Sequence, residues 1–353
     1  MDWSTQKVLV TGGCSFIGSH LVDALVARGA QVRVADDLSS GRREHIERWI
    51  DLGRVEFVQH DLLEPGNAER AVAGMDHVFH LAANHGGRGY IDLHQAACAT
   101  NLALDGLMIR AAHRAGVHQF TFASSGCVYP DHLQTDPSQE VYLTEDLVKP
   151  PYASDNLYGW AKLMGELTLR AYHQDYGFRC ASLRYFTAYG DRCLENHAVI
   201  AMIARAFLRQ DPFYVWGNGE QIRNWTYVDD IVEGTILAAE KIEDGAAVNL
   251  GTTERIRVLD AVEMVCELAG YNPEIVLQPD MPTGPMNRVA DNSLAKQLLG
   301  WQPSVPFAEG LRRTLEWYFS AKDPAEVSAI FDRMLTGRGH PSGELVQVAA
   351  AGE

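Results

Sequence analysis

Three observations predict an α/β protein built as a Rossmann-type doubly wound parallel sheet with a smaller α/β substrate-binding lobe. Short apolar runs alternate with helical patterns over the first half of the chain, the order that gives parallel strands joined by crossover helices. A glycine-rich turn, Gly12-Gly13-Cys14-Ser15-Phe16-Ile17-Gly18, follows the first run directly. The second run ends on Asp36-Asp37, about twenty residues further on, where dinucleotide-binding sheets place the carboxylate that meets the adenosine ribose.

Val8-Leu9-Val10 is the first strand, and apolar positions Ile17, Leu21, Val22 and Leu25 give the next stretch one buried helix face. The glycines permit a tight turn, and the helix N-terminus offers unpaired N–H groups and partial positive charge to a pyrophosphate. Gly12, Ser15, Phe16, Ile17 and Gly18 are the cofactor contacts expected there, with Ser15 standing where the usual motif has its middle glycine. Val32 to Ala35 is the second strand; Asp36 at its end favours NAD over NADP, while Arg42 and Arg43 keep a 2′-phosphate acceptor open. Val55 to Val58 is the third, followed by Asp61 and Leu62 in position for adenine. His77 to Leu81 is the fourth, and the small residues Ala82 and Ala83 after it let a cofactor lie against the sheet edge. A helical pattern covers Ile91 to Ala115, Phe120 to Ala123 is the fifth strand, and a helix carrying Tyr158 leads to the sixth, Ala181 to Arg184. Past Cys180 the alternation loosens, and Gly217-Asn218-Gly219 and the proline-rich stretch 278–285 indicate the second lobe. The expected division is an NAD-binding domain over 1–179, a substrate domain over 180–320 with some segments returning to the first, and a C-terminal tail over 321–353 containing one short amphipathic stretch.

Composition excludes several classes. A net charge of -16 argues against a nucleic-acid partner, which would draw Lys and Arg onto one face. No run of eighteen apolar residues and no leader ahead of the first strand favour a cytoplasmic protein without a membrane partner. Six cysteines lack paired spacing and read as reduced thiols, with no CxxC to suggest zinc. His113 and His118 lie either side of Gly116 at a helix end, off the shared face a ligand pair needs, so no metal is expected.

The run Phe122-Ala123-Ser124-Ser125-Gly126-Cys127 carries an apolar strand into two serines and a thiol. Some thirty residues later Tyr158 and Lys162, four apart, leave one helix face. Ser125, Tyr158 and Lys162 can therefore meet above one nicotinamide ring. A free tyrosine has a pKa of about 10, so Tyr158 needs Lys162 to stabilise its phenolate. Cys127 is either a small hydrophobe closing the strand end or the group of a second reaction.

These landmarks resemble the extended short-chain dehydrogenase/reductase family, the nucleotide-sugar epimerases and dehydratases, from about Lys7 to Ser320. In that family 4,6-dehydratases carry Asp-Glu where this chain has Gly126-Cys127, and 4-epimerases commonly carry a small or hydroxyl residue. Cysteine there, with the loop from Ala82 to Ile91, resembles the branch that inverts carbons 3 and 5 of GDP-mannose. The resemblance implies tightly bound NAD, held also by Leu81, Tyr158 and Lys162, and a nucleotide diphosphate sugar as substrate. It implies a homodimer joined through the helices around 91–115 and Tyr158. Ser125, Cys127, Tyr158, Lys162 and His197 are its implied catalytic set; Gly87, Arg88, Ser125, Gly126, Thr187, Asn196, Arg223 and Arg288 are its implied substrate contacts. Two positions depart from the pattern: His197 stands in place of a lysine, as an acid/base or a plain substrate or surface residue, and Thr187 stands in place of an asparagine. By the same resemblance Arg223 pairs with the diphosphate, and Arg288 with a second phosphate or sugar oxygen. The implied reaction oxidises sugar carbon 4, exchanges protons at carbons 3 and 5 of the ketone and reduces it again. Two alternatives are a 4-epimerase, which needs only Tyr158 and rotation of the keto-sugar, and a non-catalytic NAD-sensing protein.

Overall fold

The computed structural model describes residues 1–335. One seven-stranded parallel sheet contains β1 (Lys7–Thr11), β2 (Gln31–Asp36), β3 (Val55–Gln59), β4 (His77–His80), β5 (Gln119–Ser125), β6 (Cys180–Tyr185) and the later strand Asp244–Leu250. Their spatial order is Asp244–Leu250, β6, β5, β4, β1, β2, β3. The chain thus runs outward from β1 to β3, then crosses back to β4 on the other side of β1. A crevice opens at the carboxyl ends of the strands where the winding reverses. Helices cover both faces, which is why the central strands read as continuous apolar runs: Val8, Leu9 and Val10 are all fully buried.

Most of these strands reach a residue or two beyond their apolar runs. Pairing, rather than hydrophobicity, sets their ends: Lys7 faces Gln31 across β1 and β2, and Asp36 faces Gln59 across β2 and β3. The helix expected from Ile91 to Ala115 is three pieces, Arg88–Leu93, Gln95–Ala99 and Asn101–Arg114. His94 breaks it with φ −120° and ψ 52°. Asn101 then anchors the last piece, its amide exchanging hydrogen bonds with the backbone of Asn84 at 2.7 and 2.9 Å. The Tyr158 helix, Asn156–Tyr176, runs unbroken to Gly177, whose φ of 67° closes it in the left-handed conformation.

Beyond β6, short strands pair into small sheets. Ala188–Tyr189 joins Thr226–Tyr227, Phe213–Trp216 joins Ile275–Gln278, and Ile222–Arg223 lies between Ile256–Arg257 and Asn287–Arg288. The amphipathic stretch near the C-terminus is the helix Pro324–Met334, capped by Asp323 and burying Val327, Phe331 and Met334. The remainder of the expected tail, 336–353, lies outside the described residues. Among the described residues no helix is long and apolar enough to cross a membrane, and all six cysteines are buried free thiols.

Candidate active site

The turn after β1 is packed backbone against backbone. Gly12 has φ +71°, and a Cβ on Gly18 would lie 2.1 Å from the carbonyl oxygen of Gly12. No side chain fits either place, so the turn lies flush on the start of the helix Phe16–Ala27 (α1). Ser15, by contrast, has an extended backbone (φ −82°, ψ 179°), a conformation open to any residue, so serine replaces the usual glycine without strain. Asp36 accepts N–H bonds from Cys14 at 2.9 Å and Leu38 at 2.8 Å, which fixes its carboxylate at the foot of the turn. Asp36, Asp61, Leu62, Ala82 and Ala83 line a small cavity beside it. Asp61 is held there by the N–H of Leu63 at 2.9 Å. Arg43 pairs with Glu47 at 3.1 Å, and Asp36 is part of the cavity lining.

A larger cavity, about 360 Å³, opens at the carboxyl ends of β4 and β5. Gly12, Ser15, Phe16, Ile17, Gly18, Leu81 and Ala83 line its cofactor side. Ser125, Gly126 and Cys127 reach it from the end of β5, where Ser125 Oγ accepts the N–H of Cys127 at 3.1 Å and turns the chain. The Tyr158 helix presses directly on this turn, since a Cβ on Gly159 would sit 2.2 Å from the carbonyl oxygen of Cys127. Burial raises the Tyr158 phenol well above its ordinary value, and neighbouring Cys127, Asp105 and Cys98 add to this; Ser125, its hydrogen-bond partner, acts the other way. Lys162 is 1% exposed, its Nζ 3.8 Å from Asp105 Oδ1 and 4.6 Å above the Phe122 ring. Burial lowers its affinity for the proton and Asp105 opposes the shift. Among the described residues the amine makes no hydrogen bond. A buried donor facing a cavity lined by a pyrophosphate turn fits the hydroxyls of a nicotinamide ribose.

Three guanidinium groups converge on the opposite side of the cavity. Arg88 donates to Asp155 Oδ2 and Asp92 Oδ2, both at 2.7 Å. Arg288 donates to Asp155 Oδ2 at 2.9 Å, Gln134 Oε1 at 2.6 Å and Cys127 Sγ at 3.2 Å. Arg223 donates to the carbonyls of Ile222 at 2.8 Å and Thr283 at 2.7 Å, with no carboxylate among those bonds. Burial, then Arg288 and Arg88, push it down to about 9. Two like charges so close make an anion in the cavity favourable. Arg288 lines the cavity with its fork held by these protein groups, since a buried guanidinium needs its donors satisfied.

The glycine-rich loop seals the far wall. A Cβ on Gly87 would fall 1.6 Å from the carbonyl oxygen of Asn196, so loop and segment 196–197 meet backbone against backbone there. Asn196, His197 and Thr187 all line the cavity with Cys127. The His197 ring lies 6.1 Å from that of His85, and burial lowers its pKa to about 4, so the imidazole is neutral at pH 7. Asp155, at the N-cap of the Tyr158 helix, makes no side-chain capping bond and instead bridges Arg88 and Arg288.

Residues 8–251 match the NAD dependent epimerase/dehydratase family. The chain belongs to that family. GDP-mannose 3,5-epimerase from Arabidopsis thaliana is 34% identical over 322 residues, covering 89% of this chain and 83% of the relative. UDP-glucuronic acid decarboxylase 1 from the same plant is 32% identical over 308 residues, 87% of this chain and 68% of the relative. UDP-glucose 4-epimerase from Thermotoga maritima superimposes with a TM-score of 0.79 at 30% identity, covering 89% of this chain and 99% of that one. The extended short-chain dehydrogenase/reductase assignment, the Rossmann-type fold and NAD as cofactor therefore stand together. The family's dependence on NAD explains the tight turn: Gly18→Ala is expected to force α1 away from Gly12 at about 1–3 kcal/mol and to lower NAD retention about ten- to hundredfold. Nucleotide released on denaturation measures it; near-stoichiometric NAD from the variant would refute it.

Proposed function

We propose that this epimerase/dehydratase family member is a nucleotide-sugar epimerase that inverts carbon 5, alone or with carbon 3, of GDP-mannose through a 4-keto intermediate. The observation that carries the reading is Cys127 Sγ, which lines the cavity beside the Tyr158 helix and accepts a guanidinium N–H from Arg288. A 4-epimerase has no use for that group.

Bound NAD supplies reversible hydride acceptance at carbon 4. Tyr158 takes the proton of the 4-hydroxyl, Ser125 holds the same oxygen, and the Lys162 ammonium offsets the phenolate charge. The ketone acidifies the C–H bonds at carbons 3 and 5. His197, neutral at pH 7, receives the proton from one face; Cys127 delivers its S–H proton to the other, leaving a thiolate against Arg288. Both groups reset by exchange with water, and return of Tyr158's proton accompanies reduction of the ketone. Arg223 and Arg88 supply the positive field for the diphosphate, with Gly87, Gly126, Thr187 and Asn196 shaping the sugar pocket.

Incubation with a panel of nucleotide sugars in heavy water tests the reading. GDP-mannose gaining deuterium at carbon 5 supports it; interconversion at carbon 4 with no wash-in at carbons 3 and 5 would replace it with a 4-epimerase. A second reading, decarboxylation of UDP-glucuronate, draws on the nearly equal identity of the decarboxylase relative and on the excess of guanidinium charge. The same ketone would release the carbon 6 carboxylate as CO2, so CO2 evolution from UDP-glucuronate distinguishes it.

The family fold also supports a homodimer. Leu93, Leu102, Leu157, Trp160 and Met164 are exposed on the helices Arg88–Leu93, Asn101–Arg114 and Asn156–Tyr176. Apolar side chains on three neighbouring helices mark a surface for a second copy. Trp160→Glu is expected to convert a dimer into a monomer at micromolar concentration, read by sedimentation; a wild-type monomer there would overturn the assignment.

A further inference from the structure

Behind the Tyr158 and Lys162 pair, a buried chain of polar groups links the lysine to the cofactor turn. Asp105 Oδ1 lies 3.8 Å from Lys162 Nζ and 3.1 Å from His80 Nε2. His80 Nδ1 lies 2.7 Å from Thr11 Oγ1, which accepts the N–H groups of Leu81 and Ala82, each at 3.1 Å. Those two donors occupy the lone pairs of the hydroxyl, so its own proton points to His80 Nδ1. The imidazole proton is then on Nε2, and it donates to Asp105. Burial drives His80 below its ordinary value against the pull of Asp105, which favours the neutral ring. The carboxylate thereby acquires a fixed orientation, with one oxygen shared between imidazole and ammonium.

The surroundings make room for this charge. Gly165 faces Asp105 across the two helices: a Cβ there would lie 2.6 Å from the Phe122 ring and 3.4 Å from Asp105 Oδ2. Both Asp105 and Lys162 are nearly inaccessible to water. A buried ammonium with no solvation keeps its proton only if an anion is close. The ionisable groups around the pair are Asp105 from the helix Asn101–Arg114, His80 from β4, Cys98 from Gln95–Ala99, Cys127 from the end of β5, and Tyr158 on the lysine's own helix. Asp105 supplies the carboxylate in this set.

We propose that Asp105 is a positioning residue: its carboxylate, oriented through His80 and Thr11, anchors the Lys162 ammonium and ties it to the turn that holds the cofactor. This rests on the family reading of Tyr158 and Lys162, and it adds a residue of the helix Asn101–Arg114 that lies outside the lining of both cavities. Through Thr11 the same chain braces Leu81 and Ala82, so the lysine and the cofactor edge are joined through one ion pair and the hydrogen bonds behind it.

The chain contains six lysines, few enough to follow each by carbon-13 labelling at Cε. NAD-loaded enzyme labelled in this way is titrated by NMR, with the Lys162 signal assigned by its loss in Lys162→Arg. Asp105→Asn keeps the shape and the acceptor for His80 Nε2–H while removing the charge. The expected result is a Lys162 midpoint about one pH unit or more lower than in the wild type. Asp105→Glu should recover most of the difference. Asp105→Ser, smaller and neutral, should show the same fall, so one poorly folding variant does not decide the matter. A Lys162 midpoint unchanged in both neutral variants, with NAD content intact, overturns the proposal and leaves Asp105 as packing. No sugar enters the measurement, so an error in the proposed substrate does not affect it.

Discussion

Cys127→Ala is expected to suppress inversion at carbons 3 and 5 while sparing oxidation at carbon 4. The thiol lies 3.2 Å from Arg288 Nη1 in the lining of the cavity, and on the proposed reading Tyr158, Lys162 and Ser125 would form the oxidising set without it. Alanine leaves the backbone contact with Gly159 untouched, because that contact uses the Cys127 carbonyl. NAD should stay bound, and reduced-cofactor absorbance should still appear with substrate. Inversion at carbons 3 and 5 should fall by about 10²–10⁴, the usual contribution of a positioned acid or base. Near-normal inversion there in Cys127→Ala would assign the thiol to packing.

Tyr158→Phe should silence both signals together, by a similar factor of about 10²–10⁴ in each. Phenylalanine preserves the ring packing against Ile91 and Cys98 but leaves no acceptor for the 4-hydroxyl proton. The C–H bonds at carbons 3 and 5 are acidic only in the ketone, so exchange depends on oxidation. The two measurements on Tyr158→Phe and Cys127→Ala therefore establish an order of events. Wash-in that survives in Tyr158→Phe without any reduced cofactor would contradict a 4-keto route.

The parallel sheet was legible because its signals are local: a glycine turn after an apolar run, an acid closing the next strand, and side chains buried on both faces. Strand ends were less so, since Lys7 and Gln59 belong to the sheet through pairing alone. The break at His94 was hidden because the apolar period continues across it. Within the site, Gly18 and Tyr158 announce themselves by spacing, but the partners of Arg288 do not. Gln134, Asp155 and Cys127 are brought to it from three separate stretches. Asp105 was likewise invisible, for a single acid inside a helical pattern reads as a solvated position until Lys162 and His80 are seen on either side.

The contact between Gly159 and the Cys127 carbonyl has a consequence for how a sugar would be handled. With no side chain between helix and strand end, the phenol and the thiol are carried on two elements packed backbone to backbone. On the proposed reading the pyranose would then keep a single pose from first step to last, with neighbouring ring carbons addressed in turn by groups at a set spacing. Little free keto-sugar should escape into solution during turnover, because nothing in such a cycle calls for the ring to let go.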